Sequence, residues 1–483
     1  MSVAVYNKTM AQYISILGRL PKLSLAELEA VFGAQNIQPF ISDGVMINTE
    51  VTAADYARLG GSLKLAKILA ELPNDWPSIE KYLSHALPEH ASYTQGKLTL
   101  GISLYGLKVP VPKLQRSILG FKKLLKTSGK SVRVILNKNP ALSTAEVYHN
   151  KLTTQNAWEL LIVSSGKQTY LAQTIFVQDI DSYVARDRGR PKRDSRVGML
   201  PPKLAQTIIN LAVDEYGVQG TRYDNNGLVG ASNGTQPALE AVSVPRGSAQ
   251  RAVVNYGEVN TGLLKPEMPK KPAEFLAQPD SRSAGAVCVL DPFCGTGVVL
   301  QEALLMGYSA YGSDLEPRMI DYSRGNLDWL LKNDERRTRN DAFSAVVNEF
   351  CLEVGDATNY RWDFSKLQTQ GSKLAIACET YLGPPLTKQI SDNELSKMVA
   401  AVDRLHEKFL INLASQISAN TRLCLAVPAW RRGVRGYKKL PVLEKLEQIG
   451  YNWVKYEHCD SKNLFYDRED QFVARQLVTI TKQ

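Results

Sequence analysis

Apolar and polar positions alternate from Gln12 to Leu17 with the period of two that marks a half-buried strand. Ser24 then stands where a helix N-cap belongs, ahead of the run Leu25 to Val31. Glu27 follows three residues later as in a capping box, which predicts a helix. Gly44 to Asn48 reads as a strand, Ala53 to Leu59 as a helix, and Lys64 to Leu69 as an apolar run after Gly60-Gly61. Strand and helix in this order, with short connections, predict a small α+β unit over residues 1–72.

The mixed pattern continues over 73–180. Leu98 to Leu104 alternates as a strand, Pro112 to Lys126 is a basic helix, and Ser131 to Leu136 is a strand. Trp158 to Ser164 and Tyr170 to Val177 form a hairpin pair around Gly166. Residues 181–216 are a densely charged linker followed by a helix, which Pro201-Pro202 opens and whose apolar face carries Leu204, Ile208, Ile209 and Leu211. The Gly-, Asn-, Ser- and Pro-rich stretch 217–285 has no sustained period and is read as a mobile insertion.

From 286 to 483 strands and helices alternate. Strands are predicted at Val287–Leu290, Ser309–Gly312, Cys351–Val354, Leu374–Cys378 and Arg422–Val427, and helices at Val298–Met306, Met319–Leu331 and Asn393–Ser415. That alternation predicts an α/β domain with a mostly parallel sheet covered on both faces. Tyr451–Tyr456 and Gln471–Thr481 close the chain as an antiparallel pair.

At 483 residues the chain has room for two to four domains. Its 44% hydrophobic and 22% charged residues are those of a soluble globular protein. No stretch approaches the ~20 uninterrupted apolar residues of a membrane helix. Met1 to Thr9 lacks the apolar core of a signal peptide. The six cysteines have neither paired nor zinc-site spacing, so reduced thiols, no metal and a cytoplasmic location are expected. The net charge of +10 is uneven, since Lys97 to Lys203 alone carries 19 basic against 6 acidic side chains. Such a concentration is the footprint of a polyanion partner.

The strongest chemical signal is Asp291-Pro292-Phe293-Cys294-Gly295-Thr296-Gly297. It joins an apolar strand to a helix, where an open α/β sheet binds its ligand. An acid at the strand end can accept from an ammonium group, which suits the amino-acid moiety of S-adenosylmethionine better than a pyrophosphate. The dinucleotide pattern G-x-G-x-x-G is absent, with Leu300 at the third glycine position. Asp314, followed by Leu315, lies 17 residues past Gly297 and is placed for ribose hydroxyls. Asp356, followed by Ala357, ends the third strand and is placed for the adenine amine.

The fourth strand ends at Glu379-Thr380-Tyr381-Leu382-Gly383-Pro384-Pro385-Leu386. An exocyclic base nitrogen is a poor nucleophile because its lone pair is delocalised into the ring. A carboxylate and carbonyls that accept from the amine help it pyramidalise and take its proton. Glu379 supplies the carboxylate, Gly383, Pro384 and Pro385 constrain the loop, and Tyr381 can stack on a flipped base. This chemistry serves an adenine N6 as well as a guanine N2, in RNA or DNA. An RNA-binding module with a degenerate loop is the reading from another class. Ser128-Gly129-Lys130-Ser131 is no P-loop, since position 124 is Leu124.

Asp291 to Gly297, Pro201-Pro202-Lys203-Leu204-Ala205 with Asn210-Leu211-Ala212, Arg186-Asp187 and Arg190-Pro191 together resemble the THUMP-domain tRNA guanosine-N2 methyltransferases. The opening Leu17-Gly18 with Leu23 to Leu28 is similar to that family's N-terminal domain. The resemblance implies a ferredoxin-like domain over 1–72, a THUMP domain over 73–180 and a Rossmann-like class I methyltransferase domain over 286–483. It implies S-adenosylmethionine as cofactor, with Pro202 and Lys203 beside it, and tRNA as partner, methylated at a guanosine N2 at position 10. Some relatives use a small activator subunit. Lys122, Lys123, Arg186, Arg190, Lys192 and Arg193 are the candidate RNA contacts. The family's fourth-strand motif is Asp-Pro-Pro-Tyr, and here Glu379 with a longer loop stands in its place.

Overall fold

The computed structural model describes residues 12–194, 200–214, 287–333, 350–366, 372–386, 388, 390–433, 436–468 and 471–483. The insertion read at 217–285 lies outside them. Among the described residues no helix is long and apolar enough to cross a membrane, and no cluster of side chains could hold a metal.

Strand β1 (Tyr13–Leu17), helix α1 (Pro21–Phe32), β2 (Ile37–Ile41), β3 (Gly44–Ile47), α2 (Ala53–Ala57) and β4 (Ser62–Leu72) open the chain. The sheet order β2-β3-β1-β4, antiparallel throughout, with a helix after β1 and another after β3, is ferredoxin-like. The helix begins earlier than the Ser24 pattern predicts. Pro21 occupies its first turn, where a missing N–H costs nothing, and Ser24 lies inside it with its hydroxyl on Gly61 O at 2.7 Å. The residues read as a capping box instead fasten α1 to the Gly60-Gly61 turn.

The sheet does not stop at Leu72. Next come α3 (Trp76–Ser92), β5 (Leu98–Tyr105), α4 (Val111–Thr127), β6 (Val132–Val134), β8 (Ala157–Ser164) and β9 (Thr169–Val177), with the short α5 (Thr144–His149) and β7 (Thr153–Thr154) between β6 and β8. β4 pairs with β9 as well as β1, which joins all of these strands into one sheet of order β2-β3-β1-β4-β9-β8-β5-β6. At its centre Lys64 is buried against Glu159, which also accepts from Ser103 and Thr174.

After α6 (Ile180–Arg188) and α7 (Pro202–Val213), the second sheet holds β10 (Val287–Asp291), β11 (Ser309–Asp314), β12 (Phe350–Val354), β13 (Lys373–Glu379), β14 (Arg422–Arg431), β16 (Tyr451–Trp453) and β18 (Val473–Lys482). Two-residue strands β15 (Tyr437–Lys438) and β17 (Phe465–Tyr466) flank it. The order is β12-β11-β10-β13-β14-β18-β16, with β10 to β14 parallel and β18 antiparallel to β14. This is a Rossmann-like sheet whose order reverses at β10, the switch point where such sheets take ligands.

Alternation within each strand sorts the core onto two faces. Val287 and Val289 meet α7, α8 (Val298–Leu305) and α9 (Pro317–Asn333), whereas Cys288 and Leu290 meet α10 (Asp392–Ala414). Both faces are therefore apolar, and ligands have access at the strand ends.

The two sheets are joined through α7. Gly60 lies so close to Lys203 that a Cβ would fall 1.8 Å from the Lys203 carbonyl oxygen, so only glycine fits there. Arg58 donates to the Tyr308 hydroxyl, and Glu29 accepts from the backbone N–H of Glu457 and His458.

Candidate functional site

The Asp291–Gly297 segment leaves β10 as a tight turn and enters α8. Gly297, the N-cap residue of α8, has φ +81°, and a Cβ on it would approach Ser323 Oγ to 2.9 Å. Gly295 has φ +50°, and on its Cβ side nothing lies closer than the Phe293 carbonyl at 3.9 Å. The turn is thus clamped below and open above. The clamp comes from α9, where Ser323 Oγ donates to Gly295 O and Asn326 Nδ2 donates to Thr296 O. Asn326 also holds the backbone of Lys192 in both directions, tying the charged linker to the same turn. No side chain caps the first turn of α8, which leaves its amides for a ligand.

Asp291 is buried, and its Oδ1 accepts from Phe293 N at 3.1 Å. Burial pushes its carboxyl well above the ordinary range, and the charges of Asp314 and Glu379 add to that. Asp314 accepts from Gly295 N at 2.9 Å and Glu316 N at 3.0 Å, so this acid shapes the turn as well as facing it. Leu315 beside it is 63% exposed, an apolar side chain a flat ring would cover. Asp356 accepts from the amide and hydroxyl of Thr358, and Ala357 is buried behind it. Pro292 is buried, and Phe293 packs edge-on to Phe409 at 5.0 Å.

In this poorly solvated place the charges of Asp314 and Glu379 repel an ionised Asp291. A cationic ligand relieves that repulsion, whereas a pyrophosphate would increase it. S-adenosylmethionine, with a sulfonium and an ammonium, fits this donor set, and the open face of Gly295 provides the close approach it needs.

Glu379 ends β13 and is ion-paired with Arg475 of β18. Burial raises its carboxyl above the ordinary range, and the Arg475 charge and hydrogen bond oppose that shift. The next residue is locked in place: Thr380 N donates to Ala426 O at 3.1 Å, and its hydroxyl lies 2.7 Å from His406 Nε2. His406 Nδ1 lies 2.8 Å from the Val402 carbonyl, which assigns the proton to Nδ1 and leaves Nε2 to accept from Thr380. Past this anchor the loop faces solvent. Tyr381 is 46% exposed, Pro384 and Pro385 are exposed, and Gly383 turns with φ +87°.

The basic candidates divide into two groups. Lys123, Lys192 and Arg193 are exposed and Lys122 is half-buried. Arg186 and Arg190 must be corrected as RNA contacts, because their guanidinium groups lie inside the protein. Arg186 donates to Glu302 at 2.8 Å and to Ser182, and stacks over Tyr183. Arg190 is 2% exposed, with Asp187 3.9 Å away. Pro202 is buried in the first turn of α7, and the Lys203 ammonium is engaged by Gln178 Oε1 at 2.5 Å and the Tyr183 ring, at the joint between the sheets.

No family model matches the chain. A sequence likeness is present over short stretches. Over 61 residues the chain is 46% identical to a tRNA (guanine(10)-N2)-dimethyltransferase of Methanothermobacter thermautotrophicus, covering 13% of this chain and 18% of that protein. Over 109 residues it is 31% identical to the protein of the same name from Pyrococcus abyssi, covering 23% and 27%. Part of this chain resembles tRNA (guanine(10)-N2)-dimethyltransferases. The match spans less than a third of either relative's length. Among solved structures, TrmN from Thermus thermophilus aligns with 98% of this chain and 100% of its own, at 13% identity and a TM-score of 0.44.

Arg475, Ser323, Asn326 and His406 carry no sequence signal for the site. Arg475 reaches Glu379 only because β18 runs back along β14, with Arg475 opposite Pro428. Glu379 in turn is the register partner of Ala426, two residues earlier on β14.

Proposed function

We propose that the chain is an S-adenosylmethionine-dependent methyltransferase acting on the exocyclic N2 of a guanosine in tRNA, at position 10. The observation that carries this reading is the open Gly295 turn, held by Asp314 and begun by a buried Asp291 on which the charges of Asp314 and Glu379 act. The sequence likeness to two tRNA (guanine(10)-N2)-dimethyltransferases supports it.

When bound, the cofactor supplies an electrophilic methyl group. Asp291 would accept from its ammonium, Asp314 and Asp356 from its hydroxyl and amine donors, and Leu315 would cover its base. Glu379 accepts from the target amine and takes its proton as the nitrogen is alkylated, while Arg475 favours its ionised form against the opposing effect of burial. Thr380 and His406 fix the start of the loop, so that the carboxylate needs no reorganisation when charge develops. Tyr381 stacks on the extruded base.

In this reading the ferredoxin-like unit and the following THUMP domain, over 73–180, hold the tRNA, with Lys122, Lys123, Lys192 and Arg193 on its phosphates. The test is transfer of labelled methyl to tRNA transcripts by the chain alone and with a small activator subunit, followed by digestion to nucleosides. N2-methylguanosine is the expected product, and Glu379→Gln should lower the rate roughly 10²- to 10⁴-fold. Cofactor binding without transfer to any RNA would overturn the reading, and N6-methyladenosine would redirect it.

A further inference from the structure

Beyond the catalytic edge, β14 and β18 continue together as a pair, and Trp430 stands four residues past Ala426, the register partner of Glu379. Beside it is a cleft lined by Leu386, Ile390, Leu395, Trp430, Arg431 and Phe472. One wall is therefore the Glu379–Leu386 loop and its continuation, and the other is the tip of the β14–β18 pair.

Trp430 is 1% exposed, and its indole N–H has no hydrogen-bond partner among the described residues. Buried indole N–H groups normally find a partner, because leaving one unmet forfeits its hydration with no return. The ring's orientation indicates where that partner would lie. Its Cζ2 is 4.0 Å from the position a Gly383 Cβ would occupy. Cζ2 and Nε1 are both bonded to Cε2, so the N–H lies on the ring edge next to the atom that approaches Gly383.

Resting on the methyltransferase reading above, we propose that Trp430 Nε1–H donates to O6 of the target guanine and determines base specificity. Guanine presents an acceptor at C6 where adenine presents an amine donor. A fixed donor at that position binds the first and is opposed by the second, and a site built to hydrogen-bond one group rejects the analogue that lacks it. Glu379 accepts from N2 on the same Watson–Crick edge. One acceptor and one donor in the protein then match the two exocyclic groups of guanine, at C2 and C6, that adenine lacks.

The test compares tRNA carrying guanosine or 2-aminopurine ribonucleoside at the methylated position, with the wild-type chain and with Trp430→Phe. 2-Aminopurine keeps the N2 amine and lacks O6 together with the N1 proton, so the comparison with Trp430→Phe isolates the part due to O6. Wild type should lose about 10- to 100-fold in kcat/KM on the change of base. Trp430→Phe should lose a similar factor on guanosine and show no further loss with 2-aminopurine. Calorimetric binding of S-adenosylmethionine should be unchanged in Trp430→Phe, which controls for folding. Equal wild-type rates on the two bases would overturn the proposal without use of any variant, as would undiminished discrimination by Trp430→Phe. A wild-type chain that methylates no guanosine at all would instead remove the functional reading, and this proposal with it.

Discussion

Asn210 of α7 donates through Nδ2 to Glu27 Oε1 of α1 at 2.8 Å, joining the first sheet to the helix that covers the second. Glu27 is buried and also accepts from Gly60 N and Gly61 N, so the carboxylate organises the turn that Lys203 packs against. Asn210→Ala removes one of these donors. The expected loss is about 1–3 kcal/mol of stability, read from urea unfolding. The pH dependence has a definite sign. Burial raises the Glu27 carboxyl, and ionising it costs stability as pH rises through that raised value. Asn210 favours the ionised form, so the loss should be larger at pH 8 than at pH 5. An equal loss at both would mean that Glu27 does not change charge between them.

The β10 turn was legible because its signal is local: an acid, two glycines and a helix start within seven residues. The Rossmann-like sheet was legible for a similar reason, since its strands alternate with helices. What could not be read depended on pairing at long range. Residues 1–72 look self-contained in sequence, yet β4 offers its second edge to β9, about a hundred residues later. Ser24 and Glu27 match a capping box in spacing, and Pro21, already suited to a first turn, moved the helix start ahead of them. Arg186 and Arg190 look like solvated charges in the linker. Burial at the joint, invisible to composition, gave them internal surroundings instead.

Arg475 should set the acidic limb of activity. Its guanidinium favours the ionised Glu379, whose carboxyl burial has raised. Arg475→Met removes that charge and leaves the carboxylate less stable, so the Glu379 pKa rises further. The acidic limb of kcat/KM should move to higher pH by roughly 1–3 pH units, the usual effect of one close opposite charge. Arg475→Lys should restore most of the wild-type profile. A uniform fall in rate with no movement of the limb would show that Arg475 acts only through packing.

His406 makes the Thr380 anchor sensitive to acid. Burial lowers its imidazole to about 4, below the ordinary 6.5. Its stabilising contribution is therefore complete above the unfolded value near 6.5 and is lost as pH falls towards 4. The full loss amounts to about 3 kcal/mol. A protonated ring would have two N–H donors, and the Thr380 hydroxyl would have to turn to Ala426 O, now 3.3 Å away. Urea titrations at pH 7 and 4.5 should show this decline in wild type and a smaller one in His406→Gln. Parallel curves for the two proteins would rule the histidine out as its source.

Salt dependence separates the exposed cations from the buried ones. Lys122 and Lys123 lie on α4, the basic helix of the first sheet, and Lys123 is open to solvent. If they pair with phosphates, Lys122→Ala with Lys123→Ala should weaken RNA binding and flatten the plot of log K against log salt. The slope should change by about 0.7–0.9 for each phosphate no longer neutralised. Arg190 should behave in the opposite way. Its buried guanidinium has no hydrogen-bond partner among the described residues, with Asp187 at 3.9 Å and the Glu302 charge as the opposite charges acting on it. Arg190→Met keeps the volume and removes the cost of burying the charge. Stability should be equal or higher, because Asp187 is left near solvent and Glu302 keeps Arg186 as its partner, and the salt slope should not move. A flattened slope in Arg190→Met would return that residue to the RNA surface, against its burial beside Asp187.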